Sequence, residues 1–193
     1  MGGDEHALTT VVNDLSLHIL DIVQNAISAG AGLITITITE NDADDRLVII
    51  IADDGCGMTP EQSARAVDPY FTSRRTRKVG LGLPLFKQSA EQSGGTLSVV
   101  SDLGRGTTVT ATFGLHHIDR PASGDTAGAV MISVAANPHI DFVYTHRYNH
   151  RQYTFDTREV KAILDGLPLY DPQTVLWLTE MIRENVIDLK HES

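Results

Sequence analysis

Two polar side chains stand one helical turn apart near the start of the chain. Asp21 and Asn25 are four residues apart, and side chains at that spacing project from the same face of a helix. An asparagine amide oxygen is a hard ligand suited to Mg²⁺, which completes its shell with water and phosphate oxygens. A carboxylate beside it could orient or deprotonate an attacking water. Taken alone, the pair is more typical of the solvated face of an amphipathic helix.

A glycine-containing turn follows a buried apolar run in the next motif. The segment Asp53-Asp54-Gly55-Cys56-Gly57-Met58 comes shortly after the β-branched run at residues 47–51. Its two glycines let the backbone turn sharply and approach a flat ligand without a Cβ clash. The carboxylate of Asp53 could then accept a hydrogen bond from the amino group of adenine. An isolated segment of this kind is more often a simple turn.

A third motif would open a helix with phosphate-binding character. In Val79-Gly80-Leu81-Gly82-Leu83-Pro84, the free N–H groups and the positive end of the helix dipole form a natural phosphate cradle. Four cations come just before it: Arg74, Arg75, Arg77 and Lys78. Such charge runs are usually solvated, but beside these glycines neutralisation of a triphosphate is the favoured interpretation.

The fourth motif, Gly104-Arg105-Gly106-Thr107-Thr108, could by itself be only a hairpin turn. Its position after the other three motifs is more informative than its own composition. A helix with Asn25, then DDGCGM, VGLGL and GRGTT, resembles the N, G1, G2 and G3 boxes of the GHKL superfamily, the histidine-kinase-like ATPases of the Bergerat fold. The resemblance covers about residues 15–114.

The resemblance implies ATP and Mg²⁺ as cofactors, with Asn25 as the metal ligand and Asp21 as the catalytic base. Hydrolytic members usually have glutamate at that position, and the aspartate carboxylate is one methylene shorter, so hydrolysis is the doubtful step. A lid would span about residues 59–79, with Phe71 packing it. The motifs and the resemblance together predict these nucleotide-binding residues: Asn25, Asp53, Gly55, Gly57, Met58, Arg74, Lys78, Gly80, Leu81, Gly82, Leu83 and Thr108.

Apolar periodicity predicts the elements that must position these motifs. The expected elements are a helix over 15–30, strands over 33–39 and 47–51, a helix over 82–92 and strands over 96–101 and 107–113. Helix, hairpin, helix and hairpin in this order give an α+β two-layer sandwich, with helices on one face of a mainly antiparallel mixed sheet. The alternating order of a doubly wound parallel fold is absent.

Residues 116–128 combine Pro, Gly, Ser and Asp without an apolar period, which predicts a linker. It would divide an ATP-binding domain at 1–115 from a small α/β C-terminal domain at 129–193. The elements expected in the second unit are strands over 129–135, 140–146 and 152–155, a helix capped by Asp156 with Glu159 and ending at Gly166, and a helix from Asp171. Tyr170 and Trp177 are expected to pack this second core, and a docking surface is the alternative.

Composition limits the class of protein. The 193 residues are 41% hydrophobic and 21% charged, with a formal charge of −10, which works against nucleic acid as the main partner. The single cysteine excludes an intramolecular disulfide. No apolar run approaches the roughly twenty residues of a membrane helix, so a cytoplasmic protein without a membrane anchor is expected. The spacings of His116, His117, His139, His146 and His150 match no standard metal site.

Only about fourteen residues precede the first motif helix, which leaves no room for a phosphoacceptor dimerisation domain, and His18 on that helix is expected to be structural. A transducer domain like that of MutL or the topoisomerases would not fit in residues 115–193. The leading hypothesis is a short stand-alone regulatory ATPase or protein kinase of the anti-sigma-factor-kinase type, which binds a protein partner through residues 116–193. A homodimer is also compatible with the sequence.

The alternative is a nucleotide-dependent binding module or switch subunit with little turnover. Residues 131–185 somewhat resemble the tail of small ATP-binding proteins associated with iron-hydrogenase gene clusters, which would attach the chain to a redox complex. A degenerate domain that serves only as an interaction scaffold is disfavoured because all four boxes retain their polar residues.

Overall fold

The computed structural model describes residues 14–68, 82–164 and 166–191. Helices and strands follow one another along these residues. In chain order they are α1 (Leu15–Ser28), β1 (Leu33–Asn41), β2 (Arg46–Asp53), α2 (Pro60–Ala66), α3 (Gly82–Gln92), β3 (Leu97–Asp102), β4 (Gly106–Gly114), α4 (Thr126–Ala136), β5 (Asp141–Tyr148), β6 (Arg151–Asp156), α5 (Thr157–Ile163) and α6 (Pro172–His191).

All six strands belong to one sheet, in the order β3-β4-β2-β1-β5-β6. Neighbouring strands are antiparallel except β1 and β5, which are parallel. The predicted mainly antiparallel mixed sheet is therefore confirmed. Strands β5 and β6 extend the sheet that the first four strands form, and α4 begins inside the expected linker at 116–128. The division of the chain into two domains stays a prediction.

The two faces of β1 differ as its alternating sequence predicts. Ile34, Ile36 and Ile38 are buried, while the threonines between them are half-buried. The isoleucine face packs under a helical layer in which α1 contacts α3 and α4, and α4 contacts α6. Burying β-branched side chains on one face of a pleated strand stabilises the sandwich by about 1.5–3 kcal/mol for each fully buried side chain. One apolar core thus positions every motif helix against the sheet.

Helix α1 begins and ends where its sequence predicts. The carboxylate of Asp14 caps its first turn by accepting a hydrogen bond from the N–H of Leu17 at 3.0 Å. The helix ends at Ser28, and the chain then reverses through Gly30 at a φ of +76°. A left-handed backbone costs glycine little, so the chain can enter β1 directly.

The strand expected over residues 129–135 is wrong, because this segment lies inside α4. Residues around most of its circumference are buried, including Ala129, Val130, Met131 and Val134. A helix enclosed between α1, α6 and the sheet needs no polar face, so its sequence has no helical period. A short apolar run of this kind cannot be assigned by periodicity alone.

The C-terminal helices follow the expected pattern with one correction. Leu178 and Ile182, four residues apart on α6, are both buried. The carboxylate of Asp156 caps α5 by accepting a hydrogen bond from the N–H of Arg158. Tyr170 and Trp177 are instead 60% and 59% exposed, so the expectation that they pack a second core is wrong. Within the three described ranges, no helix has both the length and the apolar character needed to cross a membrane.

Candidate nucleotide site

The turn after β2 is fixed to the start of β1 by one carboxylate. Asp54 accepts hydrogen bonds from the backbone N–H groups of Gly32 at 2.7 Å and Leu33 at 2.9 Å. These bonds, with that from Leu33 the stronger influence, lower the pKa of Asp54 below its usual range. Asp54 is therefore an anchor of the turn, whereas the sequence singled out its neighbour Asp53 alone.

Two backbone hydrogen bonds hold the same turn between distant parts of the chain. The N–H of Cys56 donates to the carbonyl of Ala29 at 2.9 Å, just beyond the end of α1. The carbonyl of Cys56 accepts from the N–H of Gly104 at 2.7 Å, in the β3–β4 hairpin. Three of the four sequence motifs are thereby tied together through main-chain groups.

Ser101 completes this attachment and was missed by the sequence reasoning. Its hydroxyl accepts from the N–H of Met58 at 2.8 Å and donates to the carbonyl of Gly106 at 3.0 Å. It also lies 2.9 Å from the hydroxyl of Thr107. A serine inside a strand carries no recognisable signal, because its partners are separated from it in sequence and meet it only in the folded chain.

Gly57 and Gly106 are required because backbone segments cross closely here. A Cβ atom on Gly57 would lie 2.0 Å from the carbonyl oxygen of Asp102, and one on Gly106 would lie 1.9 Å from that of Asp53. Both residues also have positive φ, +64° and +104°. The glycines of the second and fourth motifs therefore let the two turns lie against each other.

A cavity of about 240 Å³ opens between α1, this turn and the start of α3. Five of the residues predicted from sequence line it: Asn25, Asp53, Gly57, Met58 and Leu83. The remaining walls come from residues that the sequence did not single out: Ile22, Ala26, Ser28, Ala29, Ala66, Thr107 and Val109. A largely apolar pocket with a few polar groups is typical of a small-molecule site.

Asp53 supplies a half-buried carboxylate to this cavity. Burial raises its pKa, and the hydrogen bond that its Oδ1 accepts from the N–H of Gly55 at 2.9 Å opposes that rise. The bond also fixes the direction of the carboxylate. A preorganised acceptor beside apolar walls suits an amino group on a flat aromatic ring.

Three predicted residues lie near the cavity without lining it. Asp21 is exposed on α1 and lies against α3, where a Cβ atom on Gly82 would be 2.9 Å from the Asp21 Cβ. Gly55 packs against Ala29 in the same close manner. These contacts fix the spacing of the walls and explain why glycine stands at both positions.

Thr108, which was expected at the nucleotide site, does not line the cavity. It pairs with Ala52, whereas Thr107 pairs with Asp53 and lines the cavity. Side chains alternate along a strand, so only one of two successive threonines can face the helical layer. The geometry favours Thr107 in place of Thr108.

Several predicted residues lie outside the described part of the chain. They are the cations Arg74 and Lys78, the glycine-motif residues Gly80 and Leu81, and Phe71 of the expected lid. The first part of that lid segment is α2, which begins with a capping box between Thr59 and Gln62.

His18 has the structural role expected for it. It is buried, its ring stacks on Phe86 at a centroid distance of 4.9 Å, and its Nε2 lies 3.1 Å from the hydroxyl of Ser89. Burial lowers its pKa, so the neutral ring is favoured. The contact joins α1 to α3 and so helps to hold the cavity walls together.

Comparison with known protein families identifies the family of this chain. Residues 3–117 match the family described as histidine kinase-, DNA gyrase B- and HSP90-like ATPase. The chain belongs to this ATPase family. The match covers more than half of the chain and includes all four sequence motifs, so the GHKL resemblance is confirmed.

Two curated relatives each align with less than half of this chain. The chain is 40% identical over 78 residues to a probable C4-dicarboxylate sensor kinase of Bacillus subtilis, covering 40% of this chain and 15% of that protein. It is 37% identical over 95 residues to the histidine protein kinase DivJ of Caulobacter vibrioides, covering 47% of this chain and 16% of the relative. The chain therefore spans about a sixth of these relatives' length.

A solved structure supports the same fold. The N-terminal domain of a DNA repair protein aligns with 75% of this chain and 52% of its own, at a TM-score of 0.52 and 19% identity. Such a likeness concerns the fold alone. The Bergerat-type sandwich expected from sequence is thus present in this ATPase-family chain.

Proposed function

We propose that this chain binds Mg-ATP in the cavity between α1 and the turn after β2, and that it acts as a regulatory ATPase or protein kinase of the anti-sigma-factor-kinase type. The observation that carries the proposal is the convergence of Asn25, Asp53 and Gly57 on one cavity. They come from α1, the end of β2 and the following turn, and their chemistry matches a metal, an adenine amino group and a flat ring.

Adenine is proposed to lie at the Asp53 end of the cavity. The apolar side chains of Ile22 and Val109 provide surfaces for its ring, and Thr107 lies across from Asp53 in the strand register. Gly57 contributes only backbone atoms to the wall of the cavity. This arrangement orients the triphosphate toward the start of α3, where helix N–H groups favour an anion.

Asn25 would hold the metal through its amide oxygen. Within residues 14–68, 82–164 and 166–191, no group of three or more His, Cys, Asp or Glu side chains could hold a metal ion. Mg²⁺ does not need such a group, because it takes most of its shell from phosphates and water. When bound, it would supply charge neutralisation for transfer of the γ-phosphoryl group.

Asp21 is the proposed base. It projects from the face of α1 that carries Asn25, and its contact with Gly82 places it at the start of α3. There its carboxylate would orient water or a protein hydroxyl. Phosphoryl transfer depends mainly on positioning and charge, so the shorter aspartate is expected to slow turnover more than it weakens binding.

A protein partner is proposed to contact the C-terminal helices. Tyr170, Leu176 and Trp177 are all more than half exposed near the start of α6, and aromatic side chains are enriched at interface hot spots. The net charge of −10 makes nucleic acid an unfavourable partner. A cytoplasmic location and a homodimer belong to the same proposal.

One observation favours a second candidate function, a nucleotide-dependent switch with little turnover. Asp21 is absent from the residues that line the described part of the cavity. Without a base beside the γ-phosphate, ATP would act mainly by favouring one of two conformations. Such a switch could also serve as a subunit of a redox complex.

The deciding experiment measures ATP binding by calorimetry and ADP release at steady state on the same protein. Asp53→Asn is expected to weaken ATP about ten- to a hundredfold, because a hydrogen bond to a charged group contributes about 1.5–3 kcal/mol. Asn25→Ala should remove Mg²⁺-dependent ADP release. The matched controls are Asp188→Asn and Asn185→Ala, both on the exposed face of α6.

ADP release that Asn25→Ala and Asp21→Ala both abolish would establish turnover with Asp21 as the base. Tight ATP binding with negligible ADP release would select the switch. Unchanged ATP affinity in Asp53→Asn would refute the proposed adenine contact.

A further inference from the structure

A second cavity, of about 490 Å³, lies at the other end of the sheet. Along β1, Ile34 pairs with Asp53 at the nucleotide end, whereas Glu40 pairs with Leu47 and lines the second cavity. Six residues of extended strand, about 20 Å, separate these two positions. The second cavity is therefore independent of the nucleotide site.

Its floor is a chain of hydrogen-bonded polar side chains. The hydroxyl of Tyr144 lies 2.8 Å from Nδ1 of His146, and Nε2 of His146 lies 2.9 Å from Oε1 of Glu40. The ammonium of Lys190 donates to Glu40 at 2.8 Å. Burial alone would raise the pKa of Glu40, but the hydrogen bonds from His146 and Lys190 outweigh it and lower the pKa. The carboxylate is thus ionised and already satisfied.

One face of α6 forms a wall of this cavity. Arg183, Val186, Ile187 and Lys190 recur at steps of three and four residues and all line it, as one helix face must. The two cations stand at the ends of this row and the two aliphatic side chains between them. The wall therefore offers charge at both ends and apolar surface in the middle.

The segment that enters α4 forms a second wall. Ser123, Gly124 and Thr126 line the cavity with the N-cap residue Asp125. The positive end of an eleven-residue helix thus faces the same space as the two cations.

Arg183, one of the two cations at the mouth, is held only by weak pairs. Arg183 donates to Asp125 and Glu180, and all three side chains are well exposed to solvent, where ion pairs contribute little. Arg183 and Lys190 are 38% and 39% exposed. Arg183 can exchange its present partners for a ligand, and its guanidinium can form two parallel hydrogen bonds with a carboxylate or a phosphate. The ammonium of Lys190 has three N–H donors, so it can keep its bond to Glu40 and also donate to the same ligand.

We propose that this second cavity binds a small organic anion, with its carboxylate or phosphate group held by Arg183 and Lys190 and its apolar body on Val186 and Ile187. The volume is in the range of small-molecule sites, about 300–1,000 Å³. A floor whose polar groups are already paired presents a fixed surface to such a ligand. Asp125 is the competing anion, and binding requires Arg183 to leave it.

The test uses the full chain and NMR titration with three probes: benzoate, phenyl phosphate and the neutral benzyl alcohol. The two anions are expected to shift the amide signals of Glu40, Thr126 and Tyr144, and benzyl alcohol is not. Tighter binding of benzoate assigns a carboxylate ligand, and tighter binding of phenyl phosphate assigns a phosphate. The same titration of Asp53→Asn should be unchanged, which separates this cavity from the nucleotide site.

Two substitutions at the mouth should act in opposite directions. Arg183→Gln is expected to weaken binding of the anionic probes about tenfold or more. Asp125→Asn should strengthen it, because asparagine keeps the helix cap and removes the competing charge. The control Lys87→Gln removes an exposed cation of α3 that pairs with Glu91 and should change nothing.

A cavity-filling variant provides a second check that leaves the charges in place. Ile187→Trp enlarges a half-exposed side chain on the α6 wall and should block both anionic probes while the protein stays folded. The proposal is overturned if neither anion shifts these signals at millimolar concentration, if benzyl alcohol binds as well as benzoate, or if Arg183→Gln and Asp125→Asn change affinity in the same direction.

Discussion

Substituting Gly57 by alanine tests whether the two turns at the nucleotide site need their close approach. The φ of +64° costs an L-residue about 1–2 kcal/mol. The new Cβ would also lie 2.0 Å from the carbonyl oxygen of Asp102, and forcing extra volume into a packed site typically costs about 1–3 kcal/mol. Gly57→Ala should therefore lower the free energy of unfolding by about 2–5 kcal/mol, a large part of the stability of a domain.

The chain contains a matched control for this substitution. Gly30 has a φ of +76°, and a Cβ added there would meet no heavy atom within 4 Å. Gly30→Ala should therefore cost only the conformational part, about 1–2 kcal/mol. Urea denaturation followed by circular dichroism measures both free energies. Equal losses in the two variants would refute the argument that the crossing of the two backbones, and not φ alone, requires glycine at position 57.

Three further predictions concern other parts of the fold. Ser101→Ala should lower the free energy of unfolding in urea by about 1–3 kcal/mol, because it leaves partly buried backbone groups of the site without their partner. No loss would mean that water replaces the hydroxyl. Leu178→Ala on α6 should cost about 2–5 kcal/mol by the same measurement, since it opens a cavity in the core, and a loss below 1 kcal/mol would contradict its burial. Glu40 has a lowered folded pKa, so its stabilising contribution is present above its unfolded pKa of about 4.3 and is lost as the pH falls through the folded pKa. The free energy of unfolding of Glu40→Gln, measured between pH 3 and 7, should accordingly fall less on acidification than that of the unsubstituted protein. Glu184→Gln is the exposed control. Equal pH dependence in Glu40→Gln and the unsubstituted protein would contradict the prediction.

Local patterns were sufficient for the elements that carry the nucleotide site. The bounds of α3 and the pairing of β1 with β2 as a hairpin could be predicted from the apolar pattern of the sequence. Asn25 and Asp53 were selected from residue types in a fixed order and both line the cavity, while their chemical roles stay predictions. Their convergence on one cavity required the folded chain.

Contacts between distant segments account for what the sequence missed. The role of Ser101 depends on Met58, 43 residues away, and the chain from His146 to Glu40 spans 106 residues. The choice of Thr107 over Thr108 depends on which face of β4 meets the helices. A strand was expected in place of α4 because a helix buried on most sides has lost the polar face that would reveal it.

The parallel pairing of β1 with β5 also constrains the order in which the chain can fold. Leu33 pairs with Asp141 and Glu40 with Tyr148, so one edge of β1 stays unpaired until more than a hundred further residues have emerged from the ribosome. Such long-range pairing is slow, and an exposed edge of alternating isoleucines is a template for aggregation. A fragment that ends near residue 115 would keep all four motifs and would still expose the unpaired edge of β1. Expression of the isolated motif region should therefore yield insoluble protein, in contrast to expression of the whole chain.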